Sequence, residues 1–421
     1  MTSRASCWEK VELSQIAEFR NGVNYTKDNF GRGVRTINVK DFQDYTTPKY
    51  DTLDEINPDG VVRDAHLLRE NDIIFVRSNG NRELIGRSMM ILAAPPAPVT
   101  HSAFTIRARF SSRPDIHPRF FAYVFRSGVI RQVLSAHGNG ANISNLNQDI
   151  LARLVVPLPP LPIQKRIASI LSAYDDLIET NTRRIAILEE MARRLYEEWF
   201  VHFRFPGHED AEFAGDLPSG WRELPLTDVA RVNPESIKPA KAPQRIRYID
   251  IASVSPGRID GVTEMEFSDA PGRARRVVRD GDIIWSCVRP NRRSHAIVLS
   301  PAEDTIVSTG FAVLRAGSVP FSYLAAVTSQ NAFVDFLTNR ATGAAYPAVK
   351  QSDFEAAMII VPSADLLVRY DRMVTPMLRM CQSLDTKNAN LRAQRDLLLP
   401  KLISGEIDVS EAETALDGAA A

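Results

Sequence analysis

Arginine and asparagine side chains recur in two loops of this sequence, at matching places. The loops are RSNGNRELIGR and SCVRPNRRSHA, and their candidate residues are Arg77, Asn79, Asn81, Arg82 and Arg87 in the first and Arg289, Asn291, Arg292 and Arg293 in the second. Arginine and asparagine can pair through two hydrogen bonds with the edge of guanine or adenine, and arginine also neutralises phosphates. A single charged run is more often a solvated surface, but the recurrence favours a nucleic-acid interface.

Three further stretches add candidate DNA-binding residues. They are Asn24 and Lys27 in NGVNYTKDNFGRG, Arg273, Arg275 and Arg276 in PGRARRVVR, and Tyr346 and Lys350 in YPAVKQ. The polar and aromatic side chains of the first and last stretches could reach a groove of DNA, and ordinary turns are the alternative reading of both. The sequence does not divide these residues between bases and phosphates.

The sequence lacks the patterns of common catalytic sites. It contains no glycine-rich phosphate loop ending in Gly-Lys-Ser or Gly-Lys-Thr, no histidine pair with metal-ligand spacing and no Gly-x-Ser-x-Gly elbow. His202 and His208 are close together, but a solvated connector explains them better than a metal site does. Cys7, Cys287 and Cys381 are too far apart for a zinc or disulfide pattern, so we predict buried thiols. The sequence therefore gives no support for an active site or a metal site.

Length and composition predict a cytoplasmic protein of two or three domains. The chain has 421 residues, of which 44% are hydrophobic and 24% charged, a balance typical of globular proteins. The amino terminus has no apolar signal segment, and no uncharged apolar run approaches the length of a membrane span. Because Lys plus Arg equals Asp plus Glu at 51 each, any nucleic acid must be bound by local basic patches.

The second half of the chain repeats the order of features in the first. WEKVELSQIAEF at Trp8 corresponds to WRELPLTDVARV at Trp221, and the Asp-Ile-Ile segments at Asp72 and Asp282 each lead into a basic loop. A repeat of about half the chain is too long for a solenoid. We predict a duplicated unit of a globular head followed by a helical arm. The predicted bounds are a first head at 1–156, a first arm at 157–215, a second head at 216–361, a second arm at 362–410 and a disordered tail at 411–421.

Apolar residues at heptad spacing predict a long helix in each arm, with a packing seam along one face. The seam residues are Ile167, Leu171, Tyr174, Ile178, Asn181, Ile185, Leu188 and Leu195 in the first arm and Met377, Leu384, Asn388, Leu391 and Leu398 in the second. Two seams in one chain are expected to pair with each other. At about 1.5 Å rise per residue, each helix would extend roughly 50 Å.

Prolines and asparagines mark special positions in the arms. Pro162 is predicted to fix an extended entry and a first helical turn, since proline lacks only a donor that this turn leaves unpaired. Pro376 lies inside the second seam and predicts a kink or a later helix start. Asn181 and Asn388 could fix the register of the paired helices, the alternative being partly exposed amides at the edge of a packed stripe.

The whole chain resembles the specificity subunit of a type I restriction-modification system. The resemblance is carried by PLPPLPIQKRIASILSAYDDLIETNTRRIAILEEMARRLYEEWF in the first arm, by LRAQRDLLLPKLISGEIDV in the second and by the WxxxxL openings at Trp8 and Trp221. It implies an α+β fold in which two target-recognition domains, the heads, alternate with two long helices paired as an antiparallel coiled coil, with a pseudo-twofold from internal duplication. The second arm lacks the Gln-Lys-Arg-Ile element of the first, so the arms are expected to hold partners unequally.

The same resemblance implies a function. Each head would read one half of a bipartite, asymmetric target in double-stranded DNA, and the paired helices would set the spacing and dock two methyltransferase subunits. Those subunits would bind S-adenosylmethionine, this chain would be non-catalytic and bind no cofactor, and restriction subunits would complete the complex. The alternative is a coiled-coil scaffold whose heads bind protein or small ligands without reading DNA. A single-chain methyltransferase or nuclease is disfavoured because two head-arm units use the whole length.

Overall fold

The computed structural model describes residues 8–42, 46–136 and 145–409. The first head and first long helix contain β1 (Glu9–Glu12), β2 (Ala17–Asn21), β3 (Phe30–Ile37), β4 (Asp54–Ile56), β5 (Ile73–Val76), β6 (Ser88–Met90), β7 (Val99–His101), β8 (Thr105–Phe110), α1 (Pro118–Arg126), α2 (Gly128–Ala136), α3 (Gln148–Ala152), β9 (Val155–Leu158) and α4 (Leu161–Tyr196). A π-helical turn, Glu197–Val201, follows α4.

The remaining elements begin with a short hairpin and continue through the second head. They are β10 (Phe213–Ala214), β11 (Leu217–Pro218), β12 (Arg222–Pro225), β13 (Ala230–Val232), β14 (Arg245–Ile249), β15 (Val254–Ser255), β16 (Arg258–Ile259), β17 (Thr263–Glu266), β18 (Ala274–Val277), β19 (Asp282–Ser286), β20 (His295–Val298), β21 (Thr305–Ser308), β22 (Phe311–Ala316), α5 (Phe321–Thr328), α6 (Asn331–Arg340), α7 (Gln351–Glu355), β23 (Met358–Val361) and α8 (Ala364–Ser404). The predicted α+β class is confirmed. Within the described ranges, no helix is both long and apolar enough to cross a membrane.

The sheets of the second head repeat those of the first. An antiparallel sheet has the order β2-β8-β5-β6 in the first head and β13-β22-β19-β20 in the second. A second sheet has the order β4-β3-β7 in the first head and β17-β14-β21-β18 in the second, and each contains one parallel pair, β3 with β7 or β14 with β21. The repeat in the sequence therefore corresponds to a repeat in topology.

Each head is closed by two strands that join its beginning to its end. In the first head β1 pairs antiparallel with β9, with Glu9 opposite Leu158. In the second head β12 pairs with β23 in the same way, with Arg222 opposite Val361. The strand that begins each head therefore pairs with the strand that leads into a long helix. The matching tryptophans, Trp8 and Trp221, directly precede β1 and β12, and the matching proline segments follow their partner strands β9 and β23.

A buried carboxylate lies at the start of the central strand in each head. Asp72 accepts hydrogen bonds from Nε and Nη2 of Arg109, both at 2.7 Å. Asp282 accepts two from Arg315, both at 2.8 Å. Both aspartates are 1% exposed, so each charge is compensated by a two-pronged arginine pair where an unpaired charge would be costly. The Asp-Ile-Ile segments thus fix the strands from which the basic loops emerge.

The described residues form two compact units. One combines the first head and first arm up to Glu179 with the chain from Ala389 onward, and the other comprises residues 180–388. Each unit therefore contains one head and parts of both long helices, so the compact units differ from the head-arm division used for the sequence. The predicted tail at 411–421 lies outside the described residues.

In the first unit, polar contacts join the long helices to each other and to the head. Oδ1 of Asp175 in α4 accepts a hydrogen bond from Nη1 of Arg395 in α8 at 2.6 Å. Its Oδ2 accepts from Tyr123 at 2.9 Å and from Arg126 at 2.8 Å, both in α1. Burial opposes ionisation of Asp175, but the two arginines outweigh it and hold its pKa below the usual value. One carboxylate thus connects three helices.

In the second unit, α4 and α8 run antiparallel along the predicted seams. Nδ2 of Asn181 donates to Oδ1 of Asn388 at 2.9 Å, and both residues are buried. Four residues further along α4, Ile185 packs against Cys381, which precedes Asn388 in α8. Every residue predicted for the two seams is buried or half-buried. The asparagines meet each other as a buried pair and are not exposed edge residues.

Of the two alternatives predicted for Pro376, the later helix start is wrong. The helix does not start after Pro376, because α8 runs without interruption from Ala364 to Ser404. A proline removes the hydrogen bond to the carbonyl four residues earlier, here that of Arg372. Both residues are exposed, so water can satisfy that carbonyl and the helix can continue.

Candidate nucleic-acid interface

The first basic loop leaves the sheet at the end of β5. Ser78 forms an isolated bridge with Asn145, which holds the base of the loop. Asn81 caps the single 3-10 turn Arg82–Leu84, because its Oδ1 accepts a hydrogen bond from the backbone N–H of Glu83 at 3.0 Å. The loop tip therefore has a defined conformation, and the side chain of Arg82 projects from its outer turn.

The predicted arginines of this loop have different roles. Nη1 of Arg77 donates to the carbonyl of Ala103 at 3.4 Å, and Nη1 of Arg87 donates to that of Phe42 at 3.1 Å. Both side chains are half-buried and brace the loop against the head. Arg82 is exposed, and its guanidinium makes no hydrogen bond or ion pair with any described residue. Of the three, only Arg82 has its full set of donors available.

A groove of about 690 Å³ lies beside this loop. Asn79 and Arg82 line it together with Phe30 and Phe104, whose side chains are 53% and 60% exposed. Lys40 also lines it and forms an ion pair with Asp54 at 2.8 Å. Exposed aromatic rings can contact the methyl group of thymine, while the amide and guanidinium groups can bond to base edges or phosphates. The groove therefore offers both apolar and polar contacts to a nucleic acid.

Sequence reasoning missed Phe104 and included Phe30 only as part of the stretch NGVNYTKDNFGRG, without naming it as a candidate. Phe30 begins β3, and Phe104 lies in the turn between β7 and β8. Their one sequence signal is a large aromatic residue inside a polar turn. The predicted Asn24 and Lys27 are exposed in the β2–β3 connection, which also contributes Tyr25 to the groove.

The second basic loop is held in an unusual backbone conformation. Arg289 and Arg293 have φ values of 52° and 56° and flank the 3-10 turn Pro290–Arg292. Left-handed backbone is costly for residues other than glycine, and it persists where the surroundings enforce it. Here Val288 bridges to Ala348, so the loop is joined to the segment that carries Tyr346.

Arginine side chains within this second loop also differ in what they bind. The guanidinium of Arg289 lies over the ring of Tyr346, 4.5 Å from its centroid, and its Nη2 donates to the carbonyl of Ala345 at 3.0 Å. Arg293 donates to the side chain of Asn331. Asn291 and Arg292 at the tip are exposed and make no side-chain hydrogen bond or ion pair among the described residues.

The other predicted residues of the second head are mostly engaged within it. Nε of Arg273 donates to the hydroxyl of Tyr248 at 3.2 Å, and Arg275 stacks over Phe267 at 5.2 Å. Arg276 is half-buried, and burial lowers its pKa. These three do not form a free basic patch.

The last predicted residue of the second head starts a helix. Lys350 immediately precedes α7, where its backbone N–H donates to Asp353 at 2.7 Å and its side chain remains exposed. Tyr346, four residues earlier, is 69% exposed. The segment that follows the second basic loop therefore presents an exposed aromatic ring and an exposed cation four residues apart.

The described residues contain no group of histidine, cysteine and carboxylate side chains that could hold a metal ion. Burial raises the pKa of both Cys287 and Cys381 to about 11, so both thiols are protonated at neutral pH. Cys381 is buried as predicted, Cys287 is half-buried, and Cys7 lies outside the described residues.

Comparisons with known proteins find relatives of this sequence. The model of the type I restriction modification DNA specificity domain matches residues 6–190. The chain is 25% identical over 308 residues to the type I restriction enzyme MjaIX specificity subunit of Methanocaldococcus jannaschii, covering 69% of each protein. It is 23% identical over 286 residues to the EcoKI specificity subunit of Escherichia coli, covering 63% of this chain and 56% of that protein.

A solved structure shares the fold over almost the whole length. The crystal structure of the type I restriction-modification S subunit from M. genitalium covers 96% of this chain and 97% of its own, with a TM-score of 0.61 and 14% identity. At that identity the likeness concerns the fold alone.

The head is duplicated, and each copy carries a loop with asparagine and arginine and is attached to a long helix. These features define a class of duplicated binding proteins. Residues 6–190 match the model of the type I restriction modification DNA specificity domain. The resemblance identified from the sequence is therefore confirmed.

Proposed function

We propose that this chain is the DNA specificity subunit of a type I restriction-modification complex, in which each head reads one half of a bipartite target. The observation that carries the proposal is the repeated topology. Residues 6–190 match the DNA specificity domain, and the second head repeats the strand order and the position of the basic loop. One recognised DNA-reading head thus supports the same function for its structural repeat.

The two heads present different side chains to their ligand, which supports an asymmetric target. The first offers a groove with Phe30 and Phe104, and the second offers Arg289 stacked on Tyr346. The matched family and relatives favour this function over a scaffold that does not read DNA. A subunit that reads chromosomal DNA would act in the cytoplasm.

In this proposal the arms act as a spacer and as a docking surface. Helices of roughly 50 Å have the scale needed to separate half-sites, because major-groove openings on one face recur about every 34 Å. Antiparallel pairing along the whole seam would keep that separation fixed. Large apolar side chains on the long helices, among them Leu177, Leu397 and Met373, are exposed and would be covered by two methyltransferase subunits. Restriction subunits would join the full complex.

The chain itself would be non-catalytic and bind no cofactor. S-adenosylmethionine would be bound by the methyltransferase subunits. The specificity subunit would contribute sequence recognition and the distance between the two half-sites.

The proposal is tested by mapping methylated adenines in a host that expresses this chain with its cognate methyltransferase. A host with the methyltransferase alone is the control. We expect a new split motif with a fixed gap. Absence of any new motif, with the complex shown to assemble, would contradict the DNA-reading function.

A further inference from the structure

The same dipeptide occupies the tip of the basic loop in both heads. Asn81-Arg82 in the first head and Asn291-Arg292 in the second each begin nine residues after the buried aspartate, since 81 − 72 and 291 − 282 are both nine. The backbone confirms the correspondence. The residue three before each asparagine, Ser78 or Val288, forms an isolated bridge with the segment that follows the helical part of its head.

The two arginines of these dipeptides also share their surroundings. Arg82 and Arg292 are both exposed in or next to a 3-10 turn, and neither guanidinium makes a hydrogen bond or ion pair with a described residue. Their neighbours Arg77, Arg87, Arg289 and Arg293 all donate to groups within the head. The structure thus leaves the equivalent arginine of each loop available to a ligand and uses the surrounding arginines to brace the loop.

The positions around the dipeptide differ between the heads. Asn79 of the first head corresponds to Arg289 of the second, and Glu83 corresponds to Arg293, by the same offset of 210 that relates Asp72 to Asp282. Two half-sites of different sequence have the sugar-phosphate backbone in common and differ in their base edges. A residue shared at equivalent points fits the shared ligand, and residues that differ fit the bases.

We infer that Arg82 and Arg292 each bind a backbone phosphate in the half-site of their own head, and that base reading falls to the differing neighbours Asn79 and Arg289. This inference rests on the proposed DNA-reading function. Asn79 lines the groove, and its Oδ1 accepts a hydrogen bond from the backbone N–H of Asn81 at 2.7 Å, which leaves its amide NH2 to donate. Arg289 is held by its left-handed backbone and by Tyr346, with Nε and Nη1 left to donate. Both are thus fixed in place, as base reading requires.

The test uses the full chain assembled with its methyltransferase subunits. The variants are Arg82→Gln, Arg292→Gln, Arg82→Lys and Arg292→Lys, with Arg153→Gln and Arg222→Gln as controls at exposed positions. Each complex is measured for affinity at several salt concentrations on two duplexes, one with the methylated motif and one with its bases shuffled. The methylated motif of each variant is mapped in cells.

The logarithm of the affinity falls linearly with the logarithm of the salt concentration, and loss of one phosphate contact lowers the magnitude of this salt slope by about 0.9. At 0.1 M salt this corresponds to about eightfold in affinity. We expect that loss on both duplexes for each Gln variant, near-complete retention for each Lys variant, and an unchanged methylated motif. Asn79→Ala and Arg289→Gln should instead relax one base position in one half-site. These two outcomes separate phosphate binding from base reading.

Other results would overturn the inference. A motif relaxed at one base by Arg82→Gln or Arg292→Gln, or a Lys variant as weak as the Gln variant, would make that arginine a base reader. An unchanged salt slope would remove it from the interface. Failure of the wild-type complex to methylate any split motif would contradict the proposed function separately, and the shuffled duplex would still test the phosphate contacts.

Discussion

Burial decides the chemistry of individual polar residues in the first head. His101 is 0% exposed, and its Nδ1 lies 2.9 Å from the hydroxyl of Thr105. That hydroxyl already donates its hydrogen to the carbonyl of Ser102 at 2.7 Å, so Nδ1 of His101 is the donor in its contact with Thr105. Arg107, which is 1% exposed, adds a nearby positive charge. A protonated imidazole is strongly disfavoured in this position.

The first prediction is that His101 makes the first head sensitive to acid. Burial, with smaller contributions from Arg107, His66 and Arg109, lowers the pKa of His101 to about 3, against about 6.5 in an unfolded chain. As the pH falls, the unfolded chain takes up this proton first. The stability from His101 is therefore present above pH 6.5 and is lost as the pH falls toward 3, with a loss of about 2 kcal/mol by pH 5.

Hydrogen exchange of the β8 amides at pH 7 and pH 5, corrected for intrinsic rates, measures this effect. His101→Gln should reduce the pH-dependent part of the opening free energy by about 2 kcal/mol, even if it lowers stability at both values. His202→Gln, at an exposed position, is the control. An identical pH dependence in His101→Gln and the wild type would refute the prediction.

The helical elements are attached to the heads by side chains that differ between the repeats. Gln164 in the first turn of α4 is fully buried, and its Nε2 donates to the carbonyls of Asp115 at 2.9 Å and Pro159 at 2.8 Å. Its Oε1 accepts from the N–H of His117 at 2.9 Å. The corresponding residue of α8, counted from the preceding strand, is the buried Leu367. Because the second arm lacks the Gln-Lys-Arg-Ile element, α8 has an apolar anchor, Leu367, where α4 has the polar anchor Gln164.

The second prediction is that Gln164→Leu weakens the attachment of α4 to the first head. The change leaves two carbonyls and one N–H without their side-chain partner, at a cost of about 2–4 kcal/mol. Urea unfolding measures the loss, and faster exchange of the His117 amide locates it. Lys165→Ala, an exposed neighbour, should change neither. Equal stability of Gln164→Leu and the wild type would show that the anchor is dispensable.

The third prediction concerns the paired asparagines of the long helices. Asn388→Leu leaves Asn181 buried without its partner and should cost about 1–3 kcal/mol. Asn181→Leu combined with Asn388→Leu should recover most of that loss, because a matched apolar pair replaces a matched polar pair. A double-mutant cycle on urea unfolding gives the coupling, with the exposed Asn390→Leu as control. Simple addition of the two single losses would contradict a coupled pair.

At the scale of the whole molecule, duplication gives one chain two heads of related topology. The sheet orders, the closing strand pairs and the buried Asp–Arg pairs all recur. The differences lie in the loops. The first head has Phe30 and Phe104 beside its basic loop, whereas the second head has Arg289 stacked on Tyr346. The shared elements supply the scaffold, and in the proposed function the loops distinguish the half-sites.

The fourth prediction is that arm length sets the gap in the target. Inserting seven residues after Glu179 and seven before Ala389 preserves the heptad pattern of both helices and lengthens them by about 10 Å. Methylome mapping should show both half-sites unchanged and the gap longer by about three base pairs, at about 3.4 Å per step. A gap of wild-type length would exclude the arms as the spacer, and inserting four residues is the control that breaks the heptad.

Local pattern determined most of the architecture of this protein. The order of repeated segments, the heptads and the prolines predicted two heads and two long helices, because strand and helix periodicities are properties of neighbouring residues. The family was identified separately, from the resemblance of the arm motifs and the WxxxxL openings. The later helix start predicted at Pro376 is wrong, since the cost of an interior proline depends on whether the carbonyl it frees reaches solvent.

Only the tertiary structure decided which predicted side chains are available. Arg77, Arg87 and Arg273 look the same as Arg82 in the sequence, yet their donors are used by groups 26, 45 and 25 residues away. Phe30 at the start of β3 and Phe104 in the β7–β8 turn likewise line one groove from distant parts of the sequence. Contacts between distant segments are set by the packing of the whole head, and no local spacing encodes them.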